Sequence, residues 1–267
     1  MAITTVAQFQ NAANGALITP IMKASVSNAQ NNGTFTSLWT VAGNPPAGAV
    51  PGAAATCTSA TTGAVPFTNP AGGVTTYVTS LVLNGGGTSA PGSMIAYDRL
   101  QHMGGLSGTV TTAQTVNLAV PASRNALADL SNIEWYVECY TTLGTTSQTL
   151  TVSYTNTASG AGSVAVTIPV SYRAANLIRI VPTTAGDIIQ TINTCTLGGS
   201  TGTAGSFGFT CLRRISSVQS AWGFKSLNST AFQTALGIVP NNACIAFAVL
   251  FNSGTIATCG SIGLGVG

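Results

Sequence analysis

Charged side chains are what this sequence most lacks. Only 5% of its 267 residues are Asp, Glu, Lys or Arg, against about 25% in an ordinary soluble protein. The net charge of +3 comes from eight scattered cations and five anions, too few for the cationic patch that displaces counterions from a nucleic acid. We therefore expect no direct nucleic-acid partner. The chain is nonetheless 45% hydrophobic, which excludes the composition of a disordered protein.

Long apolar runs are also missing. A membrane-spanning helix needs about 20 consecutive apolar residues, and the longest dense run here is CIAFAVLF at residues 244–251. A short run followed by Asn-Ser-Gly is typical of a buried strand, so we expect no membrane partner. The first ten residues have neither a cationic segment nor a continuous apolar core. We accordingly expect no secretory signal peptide, and a chain that is kept in a cytoplasm or released by lysis.

The groups that most enzymes use are scarce. His102 is the single histidine, so a serine or cysteine nucleophile activated by histidine would need His102 as its base. We interpret His102 as a hydrogen-bonded turn residue. Glu134 and Glu138 are the one close carboxylate pair, and four strand positions separate them by roughly 13 Å, too far for a glycosidase. The remaining acids are dispersed: Asp98, Asp129 and Asp187. We predict no catalytic site and no enzyme activity; a hydrolase using His102 or Glu138 is the less favoured alternative.

Metal and cofactor motifs are missing as well. The six cysteines contain no C-x2-C pair, and most are interpreted as small buried hydrophobes: Cys57, Cys139, Cys195, Cys211, Cys244 and Cys259. Cys244 and Cys259 flank a turn signal at residues 252–254 and are the best disulfide candidate. The Gly-rich residues 197–205 lack the G-K-[ST] ending of a phosphate loop and are interpreted as a hairpin loop. Arg213 and Arg214 point to opposite faces of a strand, so one is expected to be buried against an acid. We expect no cofactor and no metal.

What the sequence does contain is strand after strand. From residue 76 onward, segments rich in β-branched and aromatic residues alternate with Gly- and Pro-rich turns, which predicts an all-β, antiparallel β-sandwich or jelly-roll-like domain over residues 76–267. The predicted strands are residues 77–83, 93–97, 109–116, 133–140, 148–154, 163–170, 188–195, 207–215, 244–251 and 255–262. One helical turn is expected at residues 229–236.

The first 75 residues are different. Residues 1–30 show an interrupted helical spacing and predict a short helical or extended N-terminal arm, which packs either on a neighbouring subunit or on its own domain. Residues 31–75 are a loop-rich Pro/Gly segment with one expected strand at residues 34–39.

The polar faces of the predicted strands carry threonine and serine. In residues 148–154, Leu150, Val152 and Tyr154 share one face, and the opposite face has no Lys or Glu. Soluble monomers usually keep charge on such surfaces to prevent association. We therefore expect this surface to be covered in an assembly, and the chain to be a homo-oligomer, with a trimer at a lattice axis as one form.

Several tracts resemble a known group of proteins. They are FTSLW followed by AGNPPAG at residues 35–48, AYDRLQHMGGLSGTVTTAQTV at residues 96–116, LTVSYTN at residues 150–156 and STGTAGSFG at residues 200–208. Over residues 35 to 215 the chain resembles structural proteins of tailed-bacteriophage virions.

The resemblance implies a β-rich virion component that coats or cements a capsid, assembled in the host cytoplasm. The implied partners are the major capsid protein or other virion subunits, and no catalytic residue is carried over. The long helices and charged loops of the common shell subunit are not evident, which favours a decoration protein. A tail-tube or fibre-associated subunit stays open, as does a carbohydrate-binding adhesive module in which Trp39, Trp135 and Trp222 stack on sugars.

Overall fold

The structure is a computed structural model that describes residues 3–27, 34–85, 92–124, 130, 132–220, 227–230, 237–251 and 255–267. These residues form antiparallel sheets with little helix, which confirms the predicted all-β, sandwich-like fold class. The helix is α1 (Val6–Asn14), and a single 3-10 turn lies at Ala122–Arg124. The strands are β1 (Leu17–Ser27), β2 (Phe35–Ser37), β3 (Gly43–Asn44), β4 (Ala55–Thr56), β5 (Thr76–Gly85), β6 (Gly92–Leu106), β7 (Gln114–Ala119), β8 (Ile133–Thr141), β9 (Gln148–Asn156), β10 (Ala161–Ile168), β11 (Asn176–Ile180), β12 (Ile189–Leu197), β13 (Ser206–Ser220), β14 (Leu227–Thr230), β15 (Gly237–Val239), β16 (Ile245–Phe251) and β17 (Thr255–Val266).

The chain divides into two compact units. Unit 1 comprises Met1–Gly48, Thr58–Asp98 and Arg214–Gly267, and unit 2 comprises Ala49–Cys57 and Arg99–Arg213. Two of the four boundaries between the units, after Asp98 and after Arg213, therefore fall within β6 and β13.

Unit 1 is built on one six-stranded sheet. Its order is β14-β5-β17-β1-β3, with β15 also paired to β5. In the same unit, β16 pairs with β2 and with the first half of β6. Leu81, Ile262, Ile245 and Val249 are fully buried and belong to one apolar core, so these two sets of strands enclose the core of unit 1.

The helix α1 begins at a capping box and closes unit 1. The hydroxyl of Thr5 accepts from the Gln8 N–H, and the Gln8 side chain accepts from the Thr5 N–H, which satisfies two helix-terminal donors. The helix packs on β5 and β17; at Gly265 an added Cβ would lie 2.3 Å from the Ala12 carbonyl oxygen. Within the single chain, α1 therefore lies against the sheet of its own unit.

Unit 2 is a sandwich with its own core. One layer is a four-stranded sheet of order β10-β9-β12-β7, and the other contains β8 paired with β11 and β13. Their inward side chains, among them Trp135, Leu150, Ile192 and Phe207, form a single apolar cluster. The alternation predicted for residues 148–154 is confirmed: Leu150, Val152 and Tyr154 are buried.

Several sequence expectations were wrong in detail. Residues 17–27 form the long strand β1 rather than part of an arm, and β11 was not predicted. Residues 227–230 are strand rather than helix, and residues 231–236 lie outside the described residues. Residues 197–205 connect β12 and β13, which belong to different sheets, so they form no hairpin.

The proposed hairpin between Cys244 and Cys259 is also wrong. Strand β16 pairs with β2 and β6, whereas β17 pairs with β1 and β5. The two consecutive strands therefore belong to different sheets and do not pair with each other. All six cysteines are in the thiol form. The turn expected at residues 252–254 lies outside the described residues.

Candidate functional site

The structure joins two residues that sequence analysis had considered separately. His102 lies within β6 rather than in a turn, and Glu138 lies in β8; both are buried. Each contacts Arg99 of β6, a residue that sequence analysis did not single out. With Tyr140 and Thr210, they form what we call the ionic cluster of unit 2: Arg99, His102, Glu138, Tyr140 and Thr210.

The centre of the ionic cluster is a two-point ion pair. Arg99 Nη2 lies 2.5 Å from Glu138 Oε2, and Nη1 lies 3.4 Å from Oε1. Both side chains are almost completely excluded from solvent, at 2% and 1% exposure. A planar guanidinium suits this arrangement because its donors match the two carboxylate oxygens.

Hydroxyl groups complete the coordination of this carboxylate. Tyr140 Oη donates to Glu138 Oε2 over 3.0 Å, and Thr210 Oγ1 donates to the same oxygen. Arg99 Nη2 in turn donates to the Thr210 and Tyr140 oxygens over 3.0 and 3.2 Å. Strands β6, β8 and β13 are therefore connected through one buried, hydrogen-bonded charge pair.

The contact between Arg99 and His102 fixes the role of one ring nitrogen. Arg99 Nε and Nη2 lie 3.2 and 2.9 Å from His102 Nδ1. A guanidinium has donors only, so Nδ1 is the acceptor and a neutral ring carries its proton on Nε2. His102 is 3% exposed, and its Nδ1 lone pair is thus occupied by Arg99 rather than available as a base.

The protonation states of Arg99 and Tyr140 in the ionic cluster are held firmly. Burial alone would lower the pKa of Arg99, but the Glu138 carboxylate, together with Tyr140 and Cys57, outweighs this effect and raises the pKa above its usual value. Burial, reinforced by Glu138, raises the pKa of Tyr140 well above its usual value. Groups held in this way exchange no proton near neutral pH, and efficient general acids and bases have pKa values near the working pH. The arrangement favours a structural role.

The thiols follow the same trend. Burial raises the pKa of Cys139 and of Cys195 to about 12. Because the thiolate is the nucleophile, both groups are in their unreactive form at neutral pH. This agrees with their interpretation as small buried hydrophobes.

The other acids are separate from the ionic cluster. Glu134 lies on the same face of β8 as Glu138, but its carboxylate accepts from Tyr136 Oη and pairs with the exposed Arg179 at 3.3 Å. Asp98 Oδ1 accepts from the Cys244 N–H in unit 1. In unit 2, Asp187 accepts from Tyr154 and Asn156, both at 2.8 Å. Asp129 lies outside the described residues.

The described residues offer neither a metal site nor a membrane-spanning helix. They contain no group of three or more His, Cys, Asp or Glu side chains placed to hold a metal ion. Among those same residues, no helix has the length and apolar character needed to cross a membrane. Of the arginine pair, Arg213 is half-buried and Arg214 exposed.

The two tryptophans that the structure describes do not form a sugar platform. Trp39 and Trp135 are 1% and 3% exposed, and Trp222 lies outside the described residues. Trp135 and Tyr136 point to opposite faces of β8 as predicted, yet both are buried, because that strand is covered on both sides. The stacking predicted for the adhesive module is therefore wrong for Trp39 and Trp135.

A second buried cation lies in unit 1. Lys23 points inward from β1 and is 4% exposed; its Nζ donates to the carbonyl oxygens of Val41 and Pro45 over 3.1 and 2.5 Å. Burial lowers the pKa of this ammonium from 10.5 to about 8.

This lowered pKa predicts a pH-dependent stability. Between about pH 8 and pH 10.5 the unfolded chain binds the Lys23 proton and the folded chain does not, so folding becomes more favourable as the pH rises through this range. The gain is on the order of 3 kcal/mol, at about 1.4 kcal/mol per pKa unit. We expect the difference in unfolding free energy between the wild type and Lys23→Met to increase by this amount, measured by urea denaturation at each pH. A difference that is flat or falls with pH would show that the folded-state pKa is not lowered.

The outer face of the four-stranded sheet is the most distinctive surface of unit 2. Strands β7, β9, β10 and β12 contain no Lys, Arg, Asp or Glu. Their outward side chains are short and neutral, and we call the following set the threonine face: Thr149, Thr151, Ser163, Ala165, Thr167 and Thr196. All but the half-buried Thr196 are exposed. This face offers hydroxyl groups and methyl groups without a fixed charge.

Comparisons with known proteins add little. No protein-family model and no curated protein matches the chain. One similar solved structure is described as "Structure of infectious bursal disease virus Gx strain"; it shares 9% identity over 94% of this chain and 80% of that chain, with a TM-score of 0.17. At that TM-score the likeness carries no argument about fold or function.

Proposed function

We propose that this chain is a noncatalytic structural component of a bacteriophage virion, a capsid decoration or cement protein that binds the shell through neutral β-surface contacts. The observation that carries the proposal is the threonine face, an exposed sheet surface without a charged residue. A free monomer normally protects such a surface with charge. The virion setting comes from the sequence resemblance, and the expected partners are the major capsid protein or other virion subunits.

The ionic cluster supports the noncatalytic part of this proposal. Its carboxylate is already bonded by Arg99, Tyr140 and Thr210, so it holds strands together rather than presenting a group to a substrate. A chain that must keep its shape in a particle benefits from such internal pairing. A tail-tube or fibre-associated role remains the alternative, since it would use the same neutral surface.

Immunogold electron microscopy distinguishes these roles. With antibody to this chain and particles from the source culture, gold over the heads is expected for a decoration protein. Gold confined to tails would overturn decoration in favour of the tail role. Particles without gold, in a preparation where the chain is folded and recognised by the antibody, would overturn the virion proposal.

Attachment is predicted to depend little on salt. Contacts made by apolar groups and neutral hydrogen bonds are not screened by ions, so the bound fraction is expected to stay constant between low and high salt. Thr151→Lys places an unpaired cation in the threonine face; burying a charge without a partner is costly, and we expect attachment to weaken by at least about tenfold. The measurement is co-sedimentation of the purified chain with particles.

The matched control is Thr112→Lys. Thr112 is an exposed threonine in the loop before β7, outside the four-stranded sheet, so the same charge there should leave attachment unchanged. Equal loss in both variants, or release of the wild type by salt, would argue against binding through the threonine face.

A further inference from the structure

The two edges of the four-stranded sheet in unit 2 differ in kind. At one edge, β7 is six residues long, contains Asn117 at a φ of 50°, and pairs with β12 across a register shift between Ile192 and Thr194. Bulges and short strands are devices that prevent edge-to-edge pairing. The β7 edge is therefore protected.

The β10 edge has none of these devices. All eight residues, Ala161–Ile168, pair with β9 in an unbroken register from Ala161↔Thr155 to Ile168↔Gln148. The strand contains no charged residue and no proline. No described strand pairs with its other edge. A long, regular and neutral edge is a template for another strand.

The pattern of β10 suits a second copy of itself. Val164, Val166 and Ile168 are buried on the inner face, while Ser163, Ala165 and Thr167 are exposed on the outer face. Antiparallel pairing about a two-fold axis at Ala165 sets Val164 opposite Val166 and Ser163 opposite Thr167. Each residue then meets one from the same face, which is the condition for a sheet to continue without exposing its core.

We propose that β10 pairs antiparallel with β10 of a second copy, joining two four-stranded sheets into one sheet across a two-fold axis. The contact is isologous, so it closes as a dimer. Residues exposing their N–H and C=O groups alternate along a strand, so the pairing forms about six to eight backbone hydrogen bonds. It also makes the threonine faces of both copies continuous. The inference does not depend on the proposed function, since the same edge chemistry applies to the free protein.

Ala165→Lys is the variant that tests this pairing. Its side chain is exposed and points outward, so the fold is preserved; across the two-fold axis it places two cations opposite each other at about 4.5–5.5 Å between Cβ atoms, where like charges repel. By sedimentation equilibrium we expect the wild type to be a dimer and Ala165→Lys to be a monomer. Circular dichroism checks that the variant is folded.

Two further variants are the controls. Ala165→Thr keeps the position neutral and is expected to remain a dimer. Thr151→Lys carries the same charge on β9, the register partner of Ala165, one strand away from the edge, and is also expected to remain a dimer although it loses attachment to particles. The proposed attachment through the threonine face and the proposed β10 dimer can therefore be overturned independently of each other.

Hydrogen exchange locates the contact without any substitution. Edge amides of β10 in the wild type should be protected at high concentration and should exchange faster on dilution. A monomeric wild type, a dimer or trimer unaffected by Ala165→Lys, or β10 amides whose exchange does not respond to dilution would each overturn the inference.

Discussion

Glu138→Gln is expected to lower the free energy of unfolding by about 3–5 kcal/mol, the usual cost of leaving a buried charge without its partner. Arg99 is 1% exposed, and a guanidinium stays cationic in proteins, so Arg99 loses its counterion in a place that water does not reach. Glutamine keeps the shape of glutamate, which restricts the effect to charge and hydrogen bonding. Urea denaturation followed by circular dichroism measures the change.

The control is the other glutamate of β8, which pairs with an exposed arginine of β11. Glu134 contacts Arg179, whose side chain is 57% exposed, and ion pairs of this kind contribute about 0–1 kcal/mol. Glu134→Gln should therefore be nearly neutral. A similar loss in the two variants would mean that burial does not strengthen the Arg99–Glu138 pair.

The double variant Arg99→Met with Glu138→Leu separates the cost of an unpaired buried charge in Glu138→Gln from the cost of lost hydrogen bonds. Removing both charges leaves no stranded ion, and apolar replacements of buried pairs are often close to neutral. Here Tyr140 and Thr210 would lose their acceptor, at about 1–3 kcal/mol for each stranded hydroxyl. We expect the double variant to be less destabilised than the sum of the single variants Arg99→Met and Glu138→Leu. Simple additivity would show that the two residues do not interact.

The strands that sequence predicted well have a strong local pattern. In β9, apolar and hydroxyl-bearing residues alternate without interruption, and the structure buries the apolar set. Such a strand is identified from its own residues because one face packs on the core and the other meets solvent. The threonine face was accordingly foreseen from sequence, as a neutral outer surface.

Strand β1 was missed because of a proline. Pro20 lies inside β1, where a missing N–H usually breaks the ladder. Its carbonyl accepts from the Asn44 side chain, so its nitrogen also faces the β3 side rather than β17. Strand β3 pairs with β1 only at Met22 and Lys23, so the proline removes no ladder bond. The orientation of the Pro20 nitrogen is evident only from the pairing of β1 with β3 and β17, and β17 lies at the other end of the sequence.

The ionic cluster could be predicted in part. A glutamate in the apolar segment IEWYVECY, and an arginine directly after MIAYD, each indicate a charge placed inside a strand. A buried charge needs a partner, which in a chain with so few charges leaves a short list of pairs. Which charged residues pair depends on the register between strands; β8 and β13, for example, place Gly208 opposite Glu138. These two residues are 70 positions apart in the chain, and local sequence does not determine the register between such distant strands.

Gly208→Ala is expected to be the other severe substitution, because three strands approach closely at this glycine. Gly208 pairs with Glu138 of β8, and an added Cβ would lie 1.9 Å from the carbonyl oxygen of Met103 and 2.6 Å from Gly104 Cα on β6. The obstacles are backbone atoms, so no side chain can rotate away. Overpacking of this kind costs about 3 kcal/mol or more.

Gly198→Ala is the comparison that isolates this close approach. The nearest atom to a Cβ at Gly198 is the Thr149 oxygen at 3.5 Å, an ordinary contact, so that variant should keep its stability or gain up to about 1 kcal/mol from the restricted unfolded chain. If Gly208→Ala were equally stable, β13 and β6 would have to be further apart than described. Because Thr210 on β13 bonds both Arg99 and Glu138, displacing β13 also loosens the ionic cluster. Gly208→Ala should therefore destabilise the protein less in the Arg99→Met, Glu138→Leu background than in the wild type. Thermal denaturation of the combined variants measures that coupling.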